Sequence, residues 1–167
     1  GHLYRTEDFE FLPNADKAIA EMKNKGYLVI VITNQAGIAK GLYTDKDVDI
    51  LHSYMDSLLF KNHRITADGY YYCPHHPEAV VEELKQKCSC RKPNPGLILK
   101  AVSDFSDIGI EIDLKNSFTV GNKVSDIIAG INAGTGRNIL VGNDDPDAVG
   151  LAWAHYDSIY DFLKQVL

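Results

Sequence analysis

Hydrophobic and polar positions follow two alternating periods along the chain, and this alternation predicts the order of its elements. Apolar residues at helical spacing follow a potential N-cap at Asn14 and stop before Gly26. The continuous apolar and β-branched run of residues 27–33, YLVIVIT, then predicts a strand that is buried on both faces. Because the same alternation continues to the C-terminus, we expect an α/β fold with a mostly parallel sheet flanked by helices.

Local signals mark where the other elements begin. Thr44 is placed to cap a second helix, and Asp47 stands at the capping-box position. Pro95 suits the first turn of a third helix, where its missing N–H is not needed. Further strands are predicted at residues 68–72, 117–121 and 138–142, and further helices at residues 125–133 and from Asp157 or Ser158 to the end. We find no repeat or linker and therefore expect a single domain over residues 1–167.

Composition and charge narrow the class of protein. Apolar residues make up 45% of the 167 residues, which is ordinary for a globular protein with one core. The net charge of −6 argues against non-specific nucleic-acid binding, which needs a basic face to displace counterions. No apolar run approaches the roughly 20 residues that span a bilayer, and we expect no secretory leader. We therefore expect a cytoplasmic protein without a membrane or nucleic-acid partner.

Polar residues follow the predicted strand of residues 27–33. Thr33 lies at its carboxyl end, and Asn34, Gln35 and a glycine come next. In open α/β sheets, ligands bind just beyond the carboxyl ends of the strands. A hydroxyl and loop N–H groups at this place could hold a phosphoryl oxygen, although a structural Thr-Asn turn is the more common reason for such a sequence.

The three cysteines of the chain cluster with histidine. Cys73 and His75 are followed, after twelve intervening residues, by Cys88 and Cys90. Three thiolates and one imidazole suit a tetrahedral Zn²⁺ site that is closed and structural. His76 is the alternative imidazole, but the spacing favours His75. The odd cysteine count argues against a disulfide framework, and metal-binding thiolates suit a reducing compartment.

Two further loops carry charged residues. Arg91 and Lys92 follow the last cysteine and precede a helix, where they could hold phosphate or form a solvated basic pair. The sequence Val120-Gly121-Asn122-Lys123-Val124-Ser125-Asp126 is a strand end, a glycine turn and a helix start. Such a loop can bring an acid near a metal ion at the sheet edge, or it can be an ordinary capped turn.

Taken in order, the motifs T-N-Q, C-P-H-H, C-x-C-R-K-P-x-P-G and G-x-K-x-S-D resemble one family. The chain is similar to the D-glycero-D-manno-heptose 1,7-bisphosphate phosphatases of the haloacid dehalogenase superfamily. Residues 4–13, YRTEDFEFLP, fit the segment that follows the first motif of this family. The resemblance implies a Rossmann-like sheet with Mg²⁺ at its carboxyl edge. It also implies removal of the 7-phosphate of a heptose bisphosphate during synthesis of lipopolysaccharide heptose.

The resemblance also implies roles for individual residues. Thr33 would bind the transferring phosphoryl group, and Lys92 would neutralise charge in the transition state. Residues implied to bind substrate are Asn34, Gln35, Arg91 and Lys123. Those implied to bind Zn²⁺ are Cys73, His75, Cys88 and Cys90, while Asn122 and Asp126 stand in the Mg²⁺ loop.

The chain departs from the family pattern at two places. The family begins with a central strand that ends in D-x-D-G, which supplies the nucleophilic and acid/base aspartates, and the 167 residues contain no such motif. The family also has an aspartate where this chain has Asn122. Without these carboxylates, Mg²⁺ affinity should be low and the nucleophile is missing. We therefore expect the chain, as written, to be catalytically incompetent. We also expect the neighbours of the missing strand either to pair directly or to receive another segment.

Three functional hypotheses that involve a ligand remain open at this point, beside a fourth in which the chain is a remnant with no present function. The first is a heptose-bisphosphate phosphatase relative, and the second is a histidinol-phosphate phosphatase-like enzyme of the same zinc-loop group. The third is a non-catalytic module that binds phosphosugars through Thr33, Arg91 and Lys92. All three share a phosphorylated sugar or another small phosphomonoester as partner, and all leave open whether the chain is a monomer or a dimer.

Overall fold

The computed structural model describes residues 2–167, which form two compact units. The first unit ends at Cys88 and the second comprises Ser89–Leu167, so the division falls inside the Cys/His loop. Each unit contains a parallel sheet and several helices. The predicted α/β class is thus confirmed. Within the described part of the chain, none of the helices has the length and apolarity needed to cross a bilayer.

The first unit contains a two-stranded parallel sheet and three α-helices. Its elements are α1 (Ala15–Asn24), β1 (Ile30–Asn34), α2 (Ala36–Ala39), α3 (Asp45–His63) and β2 (Gly69–Cys73). The pairing register runs from Ile30 opposite Gly69 to Asn34 opposite Cys73. The two strands therefore end side by side, and the residues that follow them emerge at the same edge of the sheet.

Local chemistry explains where the long helix of this unit begins. The hydroxyl of Thr44 accepts from the Asp47 N–H at 3.3 Å, and the Asp47 carboxylate accepts from the Thr44 N–H at 2.8 Å. This is the predicted capping box. Val48, one turn further along, is fully buried and packs with Ile38 and Tyr43. The start of α3 is thus tied to the loop that follows β1.

The second unit contains a three-stranded parallel sheet in the order β3-β4-β5. Its elements are α4 (Gly96–Asp107), β3 (Phe118–Gly121), α5 (Val124–Ala133), β4 (Arg137–Val141), α6 (Pro146–Leu151), β5 (Ala154–Tyr156) and α7 (Ile159–Val166). Ile127 of α5, Leu140 of β4 and Ala148 of α6 form a buried cluster. The small residues of α5 allow this helix to lie close to the sheet, with Ala129 fully buried.

The observed elements correct the predicted ones in several places. Strand β1 begins at Ile30 rather than at residue 27, because the N–H of Val29 donates to the carboxylate of Asp68 at 2.7 Å instead of to a neighbouring strand. Asn14 does stand at the N-cap of α1, but its side chain makes no capping bond. Helices α2 and α6 and strand β5 were not predicted, because they are too short to show a period.

The strands that would flank the missing family strand are edge strands here. Among residues 2–167, β1 pairs only with β2, and β3 pairs only with β4. Of the two expected arrangements, direct pairing of these strands is therefore wrong, and filling by another segment stays a prediction. Both keep one row of backbone groups outside the described ladders.

Candidate functional site

The Thr-Asn-Gln loop and the first cysteine of the Cys/His loop lie beside each other. Asn34 is the last residue of β1 and is opposite Cys73, the last residue of β2. The N–H of Gln35 donates to the carbonyl of Cys73 at 2.8 Å, which extends the ladder by one bond. Parallel pairing thus brings two of the predicted motifs to the same edge of the sheet, as expected for a ligand site in an α/β fold.

Side chains of this loop form a short hydrogen-bond chain. The hydroxyl of Thr33 lies 3.4 Å from Nε2 of Gln35, and Oε1 of Gln35 accepts from the hydroxyl of Tyr43 at 2.6 Å. Tyr43 is a residue that the sequence analysis missed, since nothing in its sequence context separates it from other core tyrosines. Tyr43 lies just before α3, and its hydroxyl holds the Gln35 side chain of the loop.

Three thiols and one imidazole form a compact cluster in the Cys/His loop. The ligand atoms of Cys73, His75, Cys88 and Cys90 all lie within 4.8 Å of one another. The Sγ atom of Cys73 is 3.3 Å from Sγ of Cys88 and 3.5 Å from Nδ1 of His75. Ligands arranged tetrahedrally around Zn²⁺ at its usual bond lengths lie roughly 3.5–3.8 Å apart. The donor types and spacings therefore fit a zinc ion.

The structure distinguishes the two neighbouring histidines. His75 belongs to the cluster, whereas Nδ1 of His76 accepts from the N–H of Glu78 at 3.0 Å. His76 instead shapes the turn that follows, and its backbone N–H donates to the carbonyl of Leu84 at 3.1 Å. The geometry thus agrees with the preference for His75 that the spacing indicated.

In the second unit, the ammonium group of Lys92 lies 2.5 Å from Oδ1 of Asp126. The two side chains are only 13% and 10% exposed. The other carboxylate oxygen of Asp126 accepts from the N–H groups of Asn122 and Lys123, each at 3.1 Å. Through these hydrogen bonds, Asp126 connects Lys92 with the turn between β3 and α5.

The turn between β3 and α5 depends on Gly121. A Cβ atom at this position would overlap the carboxyl group of Asp126. Only glycine lets the Asp126 side chain fold back over the turn to reach two backbone N–H groups. The glycine that marked this turn in the sequence is thus required for the placement of Asp126.

The residues of this turn do not fit a Mg²⁺ site well. Asn122 offers no charge, and its backbone carbonyl accepts from Nδ2 of Asn143 at 2.6 Å. Both oxygens of Asp126 already bind Lys92 or backbone N–H groups. Since Mg²⁺ is usually held by carboxylates together with substrate phosphates, this turn lacks an available ligand of that kind. These contacts agree with the low Mg²⁺ affinity expected at Asn122 and Asp126, which stays a prediction.

The predicted site residues thus fall into two described groups. Thr33, Asn34 and Gln35 accompany the Cys/His cluster at the edge of the first sheet. Lys92 joins the Asn122–Asp126 turn in the second unit. Arg91 precedes Lys92 in the loop before α4, and its predicted contact with substrate phosphate stays a prediction.

Comparisons with known proteins agree on one family. Residues 2–133 match the family model described as polynucleotide kinase 3 phosphatase. The chain is 39% identical to D-glycero-beta-D-manno-heptose-1,7-bisphosphate 7-phosphatase from Escherichia coli K12, over 87% of this chain and 73% of that protein. The relative of the same name from Vibrio cholerae is 38% identical over 96% of this chain and 85% of its own length.

Solved structures agree at the level of the fold. D,D-heptose 1,7-bisphosphate phosphatase from B. bronchiseptica, complexed with magnesium and phosphate, superposes with a TM-score of 0.80. That structure covers 98% of this chain, and this chain covers 87% of it, at 23% sequence identity. A HAD-like phosphatase from Mesorhizobium loti has a TM-score of 0.75 at 26% identity, over 89% of this chain and 75% of its own.

Proposed function

Because the chain belongs to the heptose-1,7-bisphosphate 7-phosphatase family of the haloacid dehalogenase superfamily, we propose that it binds the phosphoryl group of a heptose bisphosphate. The observation that carries this proposal is the Thr33–Gln35 loop at the carboxyl end of β1. Its hydroxyl and amide groups are suited to phosphoryl oxygens, and they stand where ligands of α/β sheets bind.

Lys92 supplies the positive charge of the proposed function. Phosphoryl transfer is catalysed mainly by positioning and by charges that stabilise the equatorial oxygens in the transition state. Asp126 holds the Lys92 ammonium group in one place, so that little reorganisation is needed when an anion arrives. Arg91, the neighbouring residue, would add a bidentate phosphate contact.

Zinc has a structural role in this proposal. The three thiolates and the imidazole fill all four positions of a tetrahedral ion, which leaves none open for water or substrate. Such an ion would stabilise the Cys/His loop, and through Cys73 it would fix the end of β2 beside Gln35. Thiolate ligands also favour a reducing compartment, and we propose the cytoplasm.

We further propose that the 167 residues by themselves do not turn over substrate. Four aspartates considered as replacements for a D-x-D-G nucleophile have other partners in the described structure. Asp45 accepts from the hydroxyl of Tyr72, Asp47 completes the capping box of α3, and Asp145 caps α6. Asp144 is 93% exposed and lies 3.2 Å from Nε2 of His155.

Phosphate release tests this proposal directly. We expect the 167-residue chain, with excess Mg²⁺, to release no phosphate from heptose 1,7-bisphosphate above a buffer control. The E. coli relative serves as the positive control in the same assay. Metal-dependent turnover by the chain alone would show that one of its other carboxylates acts as the nucleophile.

Binding without turnover is the matching positive expectation. Calorimetry should detect the binding of inorganic phosphate and of heptose bisphosphate to the chain. Thr33→Val should lower the affinity for both, since it removes the hydroxyl while keeping the shape of the side chain. Loss of one hydrogen bond to an anion corresponds to roughly tenfold in affinity. Comparing the affinities for histidinol phosphate and heptose bisphosphate distinguishes a heptose-bisphosphate phosphatase relative from a histidinol-phosphate phosphatase-like protein. An absence of heat with every phosphate ester would contradict the proposal.

A further inference from the structure

Tyr43 occupies a buried position between the loop after β1 and the start of α3. Its side chain is only 6% exposed and packs with Ile38 and Val48. The ring of Tyr4 stacks on it with 4.8 Å between centroids and 15° between planes. These contacts fix the position of the ring. The hydroxyl is the one polar group of the side chain.

The hydroxyl of Tyr43 has two polar neighbours in the loop. Gly37 makes a backbone hydrogen bond to it, and this bond opposes the rise in the pKa of Tyr43 that burial causes. The phenolic proton is donated to Oε1 of Gln35 at 2.6 Å. A side chain at Gly37 would overlap the Tyr43 ring, so the glycine is needed for this approach.

The hydrogen bond from Tyr43 determines which end of the Gln35 amide faces Thr33. Since the proton of Tyr43 requires an acceptor, Oε1 faces Tyr43 and the amide nitrogen faces away from it. Nε2 of Gln35 then lies 3.4 Å from the hydroxyl of Thr33. A flipped amide would present a lone pair at that place and would repel a phosphoryl oxygen.

We propose that Tyr43 is a positioning residue that holds the Gln35 amide with its N–H donors toward the anion bound at Thr33. This inference rests on the proposed phosphoryl-binding function of the loop. In this proposal, the hydroxyl of a buried tyrosine selects one of the two orientations of the Gln35 amide. The ring and the hydroxyl have separate roles, because packing fixes the ring and only the hydroxyl acts on Gln35.

Tyr43→Phe tests the hydroxyl alone, and Tyr72→Phe is the matched control. Tyr72 packs against the same buried cluster, and its hydroxyl bonds to Asp45 instead of the loop. In ¹⁵N spectra of the full chain, we expect the Gln35 Nε2–H signals to move in Tyr43→Phe and to stay in place in Tyr72→Phe. Thermal unfolding measured in parallel shows that both variants remain folded.

Affinity for inorganic phosphate gives the second readout. Halving the fraction of correctly oriented amide doubles the apparent Kd, and a preference for the flipped amide increases it further. We expect Tyr43→Phe to raise the Kd by roughly twofold to tenfold and Tyr72→Phe to leave it unchanged. In a Gln35→Ala background, Tyr43→Phe should have no further effect, because the amide that it orients is gone.

The measurements distinguish a failure of the positioning role from a failure of the proposed phosphoryl binding. Unmoved Gln35 signals in Tyr43→Phe, or equal effects of the two tyrosine variants, would overturn the positioning role. Additive effects of Tyr43→Phe and Gln35→Ala on the Kd would overturn it as well. A wild-type chain that binds no phosphate would count against the proposed function, while the Gln35 signals would still decide whether Tyr43 fixes the amide.

Discussion

At the residue scale, the contact between Lys92 and Asp126 shows how a charged group is held in place inside a phosphatase-type fold. Neither side chain is more than 13% exposed, so neither keeps its full hydration. The carboxylate compensates by accepting three hydrogen bonds, one from the ammonium group and two from backbone N–H groups. Removing either partner therefore leaves the other buried without its main contact.

We expect Asp126→Ala to lower the free energy of unfolding by about 3 kcal/mol, since it removes the carboxylate that accepts from a buried ammonium group and from two backbone N–H groups. Lys92→Met should cost less, because the Asp126 carboxylate keeps its two N–H donors. Urea denaturation measures both.

Lys100→Met is the matched control for this comparison. Its ammonium group pairs with Asp104 at 3.6 Å on the exposed face of α4, where the side chains are 65% and 46% exposed. Exposed pairs of this kind contribute about 0.5 kcal/mol or less. Equal losses for Lys92→Met and Lys100→Met would show that the buried pair has no special role.

At the element scale, α3 packs on β2 through an aromatic face that includes a histidine. His52 is buried, stacks on Tyr70 with 4.5 Å between centroids, and meets the ring of Tyr72 at 6.1 Å. Burial lowers the pKa of His52, and the nearby carboxylates of Asp49 and Asp56 only partly oppose this effect. The packing of this helix on the sheet therefore depends on a neutral imidazole.

The lowered pKa of His52 predicts a pH dependence of stability with a definite sign. Below the unfolded value of about 6.5, the unfolded chain binds a proton that the folded chain does not accept. Stability should therefore fall as the pH drops below about 6.5, and this contribution should level off below the folded pKa. Urea denaturation at several pH values measures the slope.

His52→Phe keeps the stacked ring and removes the titrating group. We expect the variant to lose the part of the slope that lies just below pH 6.5, while the steeper loss at lower pH stays. Part of that later loss comes from Asp16, whose pKa is lowered by its bond to His63 at 2.7 Å. An unchanged slope in His52→Phe would assign the effect to another group.

At the scale of the whole molecule, the Cys/His loop is a long segment that a metal ion would order. Between β2 and α4 the described chain has only a short 3-10 helix, Glu82–Leu84. Structural zinc sites supply folding free energy directly, so a loop of this kind should be ordered by its ion.

We expect the purified chain to hold about one equivalent of zinc and to lose thermal stability when a chelator removes it. His75→Gln and His76→Gln are a matched pair, since the two histidines are neighbours and only His75 belongs to the cluster. His75→Gln should lose zinc and lower the Tm by at least about 5 °C, whereas His76→Gln should keep its zinc. Equal zinc contents in the two variants would refute the assignment of His75.

Much of this molecule was predictable from its sequence. The capping box of Thr44 and Asp47, the Cys/His cluster and the order of the main strands are confirmed, because each depends on residues close together in the chain. The family followed from ordered motifs that are specific in combination. That the chain forms a single domain and that Arg91 binds phosphate stay predictions.

Other features were decided only by tertiary structure. The pairing of Asn34 with Cys73, the bond from Tyr43 to Gln35 and the burial of Asp126 with Lys92 join residues that are 39, 8 and 34 positions apart. The start of β1 at Ile30 depends on the distant carboxylate of Asp68. Periodicity and caps record short-range chemistry, and they therefore determined the elements and motifs of this chain. The orientation of a side chain such as Gln35 is set by whichever distant group packs against it, and no local pattern records that group.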